Sequence, residues 1–136
     1  MRSSGTLVAP SDSAVRRNMD INELDVDACR TVIAENRLGR VVYTYQAMPA
    51  AAPVHYLNLG DRLLLTLPQG SELIAELSGQ VVALLVEDDH ECLRHSVLLT
   101  GLCLPSGAAP ASSTADETMY LELHSPLLRG RRHRLR

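Results

Sequence analysis

Five histidines and three cysteines are the side chains of this chain best suited to metal or proton chemistry, and three of them crowd together as His90, Cys92 and His95. Imidazole and thiolate are zinc ligands, but this spacing matches no common ligand pattern, and a fourth donor would have to come from Cys29, Cys103 or a distant acid. The stretch from Asp88 to His95 therefore reads as a polar link, with no metal assigned. An odd number of widely spaced cysteines without a Cys-x-x-Cys pair fits reduced thiols inside a cell. All 13 basic residues are Arg, so a lysine Schiff base is excluded. No Gly-x-Ser-x-Gly elbow, Walker loop, Gly-x-Gly-x-x-Gly fingerprint or His-Glu-x-x-His pair is present, which leaves hydrolase, kinase and Rossmann chemistry without a basis.

Five of those arginines fall in residues 129–136 with no acid among them, while the rest of the chain carries 8 Arg against 16 acids, a net of -8. An acidic body repels a phosphodiester backbone, so nucleic-acid binding would depend on the basic end alone, and no specific nucleic-acid partner is expected.

These residues must be positioned by elements drawn from 136 residues that are 46% hydrophobic and only 3% aromatic. That length suits one domain burying about two-thirds of its unfolded surface, a core that needs no staples. Residues 1–20 mix Ser, Gly, Asp, Pro and Arg without a period and read as a flexible leader, leaving 21–136 for the domain. Met1-Arg2-Ser3-Ser4-Gly5 leads into no apolar segment, and the longest aliphatic run, Val81 to Val86, is far short of the ~20 residues of a membrane span. A cytoplasmic protein without a membrane partner is expected.

Order is expected to begin near Leu24-Asp25, where Asp25 caps a helix with Val26, Cys29, Val32 and Ile33 at three- and four-residue steps and Gly39 as its stop. Val41 to Tyr45, Pro53 to Leu59 and Arg62 to Leu67 predict an antiparallel meander, with turns around Met48-Pro49 and Gly60-Asp61. Ser71 caps a short helix closed by Gly79, with Leu73, Ile74 and Leu77 on one face. Val81 to Glu87, Ser96 to Leu104 and Thr118 to His124 complete six strands, with Pro105 to Asp116 as a surface loop. The prediction is a mainly β, six-stranded antiparallel barrel of Greek-key type with short helices, because only one helix lies between strands.

Taken in order, Gly39-Arg40-Val41-Val42, Pro49, Pro53-Val54-His55-Tyr56, Gly60-Asp61 and Thr66-x-x-x-Gly70-Ser71-x-Leu73 form a pattern. With Val82 to Asp88, Ser96 to Gly101 and Gly130-Arg131-Arg132, it resembles the pyridoxamine 5′-phosphate oxidase-like proteins, the FMN-binding split β-barrels. The resemblance covers about residues 24–135. It implies a homodimer with two flavin sites at the subunit interface, holding FMN or a related deazaflavin, in a redox role.

By the same resemblance, Thr66 and Ser71, with Gly70 opening the turn, would contact the flavin phosphate. Hydroxyls and the N–H donors of a helix start suit that anion. The backbone of Val54, His55 and Tyr56 would run beside the isoalloxazine. Family members usually place an Arg just before the threonine and a Lys just after the serine, where this chain has Leu65 and Glu72. Replacement charge would come from Arg62, or from Arg131 and Arg132 of either subunit. His95 replaces the aromatic residue common before Ser-Val, and as a titratable imidazole near the ring it is the catalytic candidate.

The resulting expectation is an FMN-binding oxidoreductase that passes hydride between flavin and a small substrate. The alternative keeps the fold and discards the chemistry: a binding module with a degenerate flavin site, holding a small ligand, haem or a protein partner. A third reading, a nucleic-acid accessory protein, would act through residues 129–136.

Overall fold

The computed structural model describes residues 21–106 and 117–135. The leader over 1–20 and most of the loop expected from Pro105 to Asp116 lie outside the described residues. The elements are β1 (Ile21–Glu23), α1 (Val26–Ala34), β2 (Leu38–Tyr45), β3 (Met48–Asn58), β4 (Leu63–Pro68), α2 (Glu72–Leu77), β5 (Gln80–His90), β6 (Leu93–Pro105) and β7 (Thr118–Arg134). Among the described residues, no helix is long and apolar enough to cross a membrane.

All strand pairs are antiparallel, and the sheet runs β1-β7-β4-β3-β2-β5-β6 with β6 closing back onto β7. The closed cylinder is thus the six-stranded barrel expected. β1 is a seventh strand laid on the outer end of β7, where Glu23 stands opposite Arg131. Side chains alternate between faces along a strand. Those of Val54, Tyr56, Leu65, Val82, Leu84, Val86, Val97, Leu99 and Leu121 point inward and form the core with Cys29, Val32 and Ile33 of α1. The Asp25 carboxylate accepts from the Ala28 amide at 2.8 Å, so α1 starts where its cap dictates. Tyr56, 2% exposed, donates its hydroxyl to the Ile33 carbonyl at 2.7 Å and ties the helix to the barrel wall.

Several local expectations change. Gly39 does not stop α1, which ends at Ala34; it lies in β2, where an added Cβ would stand 2.7 Å from the Leu85 carbonyl oxygen. The first hairpin turns at Gln46-Ala47, both at positive φ, and Met48-Pro49 already belongs to β3. β4 pairs β3 only from His55 onward, so Pro49 and Pro53 sit where one side of β3 has no ladder to break. The polar link from Asp88 to His95 is mostly strand: β5 and β6 pair out to His90 and Leu93, leaving only Glu91-Cys92 in the turn. The basic end is also no loose tail. β7 continues to Arg134, with β6 on one side and β1 on the other.

Candidate functional site

Strand register decides which side chains meet outside the barrel. Tyr120, Thr66, His55 and Leu38 stand opposite one another across β7, β4, β3 and β2, forming one continuous outward row. Thr66 is half-buried within it, and His55 and Leu38 are exposed. The next outward row is Pro53, Arg40, Leu85, Leu98 and Arg129, and beyond it come Ala51, Val42, Ala83, Thr100 and Leu127. Together they make a shelf, His55 and Thr66, beside an apolar belt that leaves Val81 67% and Leu127 73% exposed.

Of the residues expected beside an isoalloxazine, His55 alone presents its side chain on this shelf. Val54 and Tyr56 point into the core, and burial together with the nearby Asp88 carboxylate pushes the Tyr56 phenol up to about 12. The shelf also carries two residues that sequence motifs did not single out as contacts. Tyr120 enters through β4–β7 register. Arg40 stands two positions from Leu38 and pairs with no acid among the described residues. A guanidinium there can stack on a planar ring or meet an anion. Arg40 stood in a quoted motif without a role, and Tyr120 was discoverable only by counting cross-strand parity.

The turn into α2 is built as expected but is differently charged. Gly70 at φ +92 makes the bend, and the Ser71 hydroxyl accepts from the Leu73 amide at 3.3 Å, capping a helix of six residues. The cap uses the hydroxyl only as an acceptor and leaves its O–H able to donate. Ser71 opens onto a groove of about 540 Å³ whose described lining is Tyr43, Tyr45, Ser71, Glu72, Leu73 and Glu76, with two carboxylates and no cation. Partial burial and the adjacent Glu76 carboxylate hold the Tyr43 phenol above its usual value, as expected of an electronegative groove. Leu65, where family members usually carry a cation, is fully buried in the core. A phosphate dianion would meet repulsion at this turn, so the residues present do not fit it.

Nor do the expected replacement cations converge there. Arg62 lies about 13 Å along β4 from Thr66. It donates from Nε to Glu122 at 2.9 Å and from Nη2 to the Ser106 hydroxyl at 2.8 Å. With Arg30, Asp61 and His124 it lines a separate cleft of about 590 Å³ at the barrel mouth. Arg131 and Arg132 point to opposite faces: Arg131 stands opposite Ser96, Arg132 opposite His95. Gly130 is a packing residue, since a Cβ there would sit 2.5 Å from Cys29 Sγ. His95 is not on the shelf. It faces the other way, directly across from Asp88 near the β5–β6 turn. Burial pushes the Cys103 thiol up to about 11 and raises that of Cys29 as well, so neither offers a thiolate near neutral pH.

Solved structures share this fold. The FAD binding protein from Mycobacterium smegmatis matches with a TM-score of 0.71 at 18% identity, over 84% of this chain and 99% of that one. A FAD-binding protein from Mesorhizobium loti matches at 0.70 and 14% identity, over 82% and 97%. The FAD and heme binding protein from Mycobacterium smegmatis matches at 0.65 and 14%, over 85% and 73%. No curated protein matches the chain. The family model described as pyridoxamine 5′-phosphate oxidase matches residues 25–132, from the Asp25 cap through the barrel to Arg132, and by that match the chain belongs to this family.

Proposed function

We propose that this protein binds a flavin ring on the shelf at the seam of a two-barrel dimer and works there as a small oxidoreductase. The observation that carries this reading is the unbroken outward row Tyr120–Thr66–His55–Leu38 bordering a belt too apolar to stay in water. A second copy covering the belt would turn an open shelf into a dry crevice. Three solved neighbours named for FAD binding share the fold, which supports the same use of the shelf. A bound flavin supplies the electron chemistry, so the chain need only place ring and substrate and exclude water. His55 and Arg40 border the seat, and the Thr66 hydroxyl offers one hydrogen bond within it.

Because the α2 turn does not fit a phosphate, recognition rests on the ring. Riboflavin and FMN are therefore expected to bind within about threefold of each other, without the charge-assisted bonds that normally favour FMN. The test is the absorption spectrum of the purified protein, followed by anaerobic titration with riboflavin and FMN and by sedimentation. Glu72→Lys is expected to shift preference toward FMN. A strong FMN preference in the wild type would overturn the ring-only recognition. Colourless protein that takes up neither flavin would overturn the redox reading and leave a binding module, the reading that the acidic groove of Tyr43, Tyr45, Glu72 and Glu76 favours.

A further inference from the structure

At the end of the barrel, on the opposite face of the sheet from the flavin shelf, the fold assembles a donor set that no motif spells out. Glu35, just after α1, meets Asp88 and His90 of β5, with one ligand atom from each lying within 4.8 Å of the others. Asp88 and His90 are two apart on one face of the strand, and His90 Nε2 lies 3.2 Å from Asp88 Oδ2. His95 of β6 stands directly across from Asp88, and its ring centre is 5.9 Å from that of His90 at 61°. Two imidazoles on one tetrahedral zinc ion hold their ring centres roughly 5.2 Å apart, so at 5.9 Å His95 is a neighbour of the His90 ring and not a ligand in place.

We propose that Glu35, Asp88 and His90 form a binding site for a divalent transition metal ion of the zinc class, with water completing its coordination and His95 packed beside the His90 ring. Charge supports it. Two carboxylates are held close together, and among the described residues Asp88 has only His90 as an ion-pair partner and Glu35 pairs with no cation. Arg94 is engaged with Asp89 and Glu87, and Arg132, across from His95, forms no ion pair with either carboxylate. A dication answers the repulsion between Glu35 and Asp88. Orientation supports it too: Asn36 donates from Nδ2 to the Val32 carbonyl at 2.8 Å and to Asp88 Oδ2 at 3.4 Å, steadying the carboxylate as outer partners of metal ligands do. Mixed imidazole and carboxylate donors suit zinc, nickel or cobalt above magnesium, which prefers oxygen and retained water. Neither Cys92 nor His95, the neighbours suggested by sequence spacing, is among the gathered donors, and His95 adjoins them only through its ring contact with His90. The site is independent of the flavin reading, and its ion would clamp the end of α1 to the β5–β6 hairpin.

The experiment titrates the full chain, stripped with a chelator, with zinc ion by calorimetry, and follows melting with and without zinc. One ion per chain is expected, with a higher melting temperature when bound and no competition from millimolar magnesium. His90→Ala and Asp88→Asn are expected to weaken binding at least tenfold and to abolish the melting shift, and Cys92→Ser to change neither. The His90 side chain is 61% exposed, so its variant tests binding without disturbing the core. No zinc uptake, uptake that survives His90→Ala, or uptake lost in Cys92→Ser would each overturn the site.

Discussion

The two faces of β5 are alike in composition and opposite in fate. Val82, Leu84 and Val86 point inward and are at most 2% exposed, while Val81 on the outward face remains 67% exposed. Hydrophobicity does not separate them; cover does. The inner set packs against the opposite wall of the barrel and α1, whereas the outer set belongs to the belt that runs through Val42, Ala83 and Leu127. A strand apolar on both faces is what double burial requires, so the missing alternation in Val81 to Val86 is the pattern the proposed two-barrel seam would need. The same division separates His55 from Tyr56. One turns toward the shelf; the other is spent on the core.

The sharpest way to break this comparison is to damage each face in turn. Leu84→Ala is expected to cost about 2–5 kcal/mol in urea unfolding, through lost burial and the cavity left behind. Val81→Asp is expected to keep a wild-type circular dichroism spectrum while sedimenting as a monomer and losing flavin uptake. A Val81→Asp protein that still sediments as a dimer and keeps flavin uptake would show that the belt is not the seam.

Next in size is the pair Tyr56 and His55. Tyr56→Phe strands the Ile33 carbonyl and is expected to cost about 1–3 kcal/mol, whereas His55→Ala should leave the melting curve in place and weaken flavin binding. A phenol at about 12 in the folded chain against 10.0 ordinarily favours the neutral form. The stability it confers is therefore complete below pH 10 and is lost as pH rises toward 12. That alkaline limb should be absent in Tyr56→Phe, and its persistence would assign the loss to other groups.

The smallest effect is expected at the surface pair Asp89–Arg94, where Arg94 donates from Nε at 2.7 Å and from Nη2 at 3.0 Å. That hydrogen bond holds the Asp89 carboxyl below its usual value. Its stabilisation is present above the ordinary carboxylate range and disappears as pH falls through the lowered value. Arg94→Ala should therefore melt slightly earlier than wild type at neutral pH and no earlier in acid. Exposure and salt keep the difference small.

Much of the fold was legible because its signals are local. Asp25 and Ser71 cap their helices by reaching amides two or three residues away, and the six barrel strands follow β-branched and leucine-rich runs. What escaped were features whose cause lies elsewhere in the chain. β1 is three residues held by pairing with β7, and the basic end becomes strand because β6 and β1 flank it. Gly39 looked like a helix stop, yet its reason is the Leu85 carbonyl 46 positions away. The site divided in the same manner: Thr66, His55 and Arg40 stood in readable motifs, while Tyr120 joined them only through register.

Sequence alone determined the barrel, its family, the absence of lysine chemistry and the replacement of an expected cation by Glu72, because composition, caps and strand runs act over a few residues. Tertiary structure alone decided where charge and donors collect. It committed Arg62 to Glu122, turned Arg131 and Arg132 to opposite faces, and brought Glu35 to Asp88 and His90. Electrostatic and coordination chemistry depend on distances through space, and those are set by strand register and by what packs over each face.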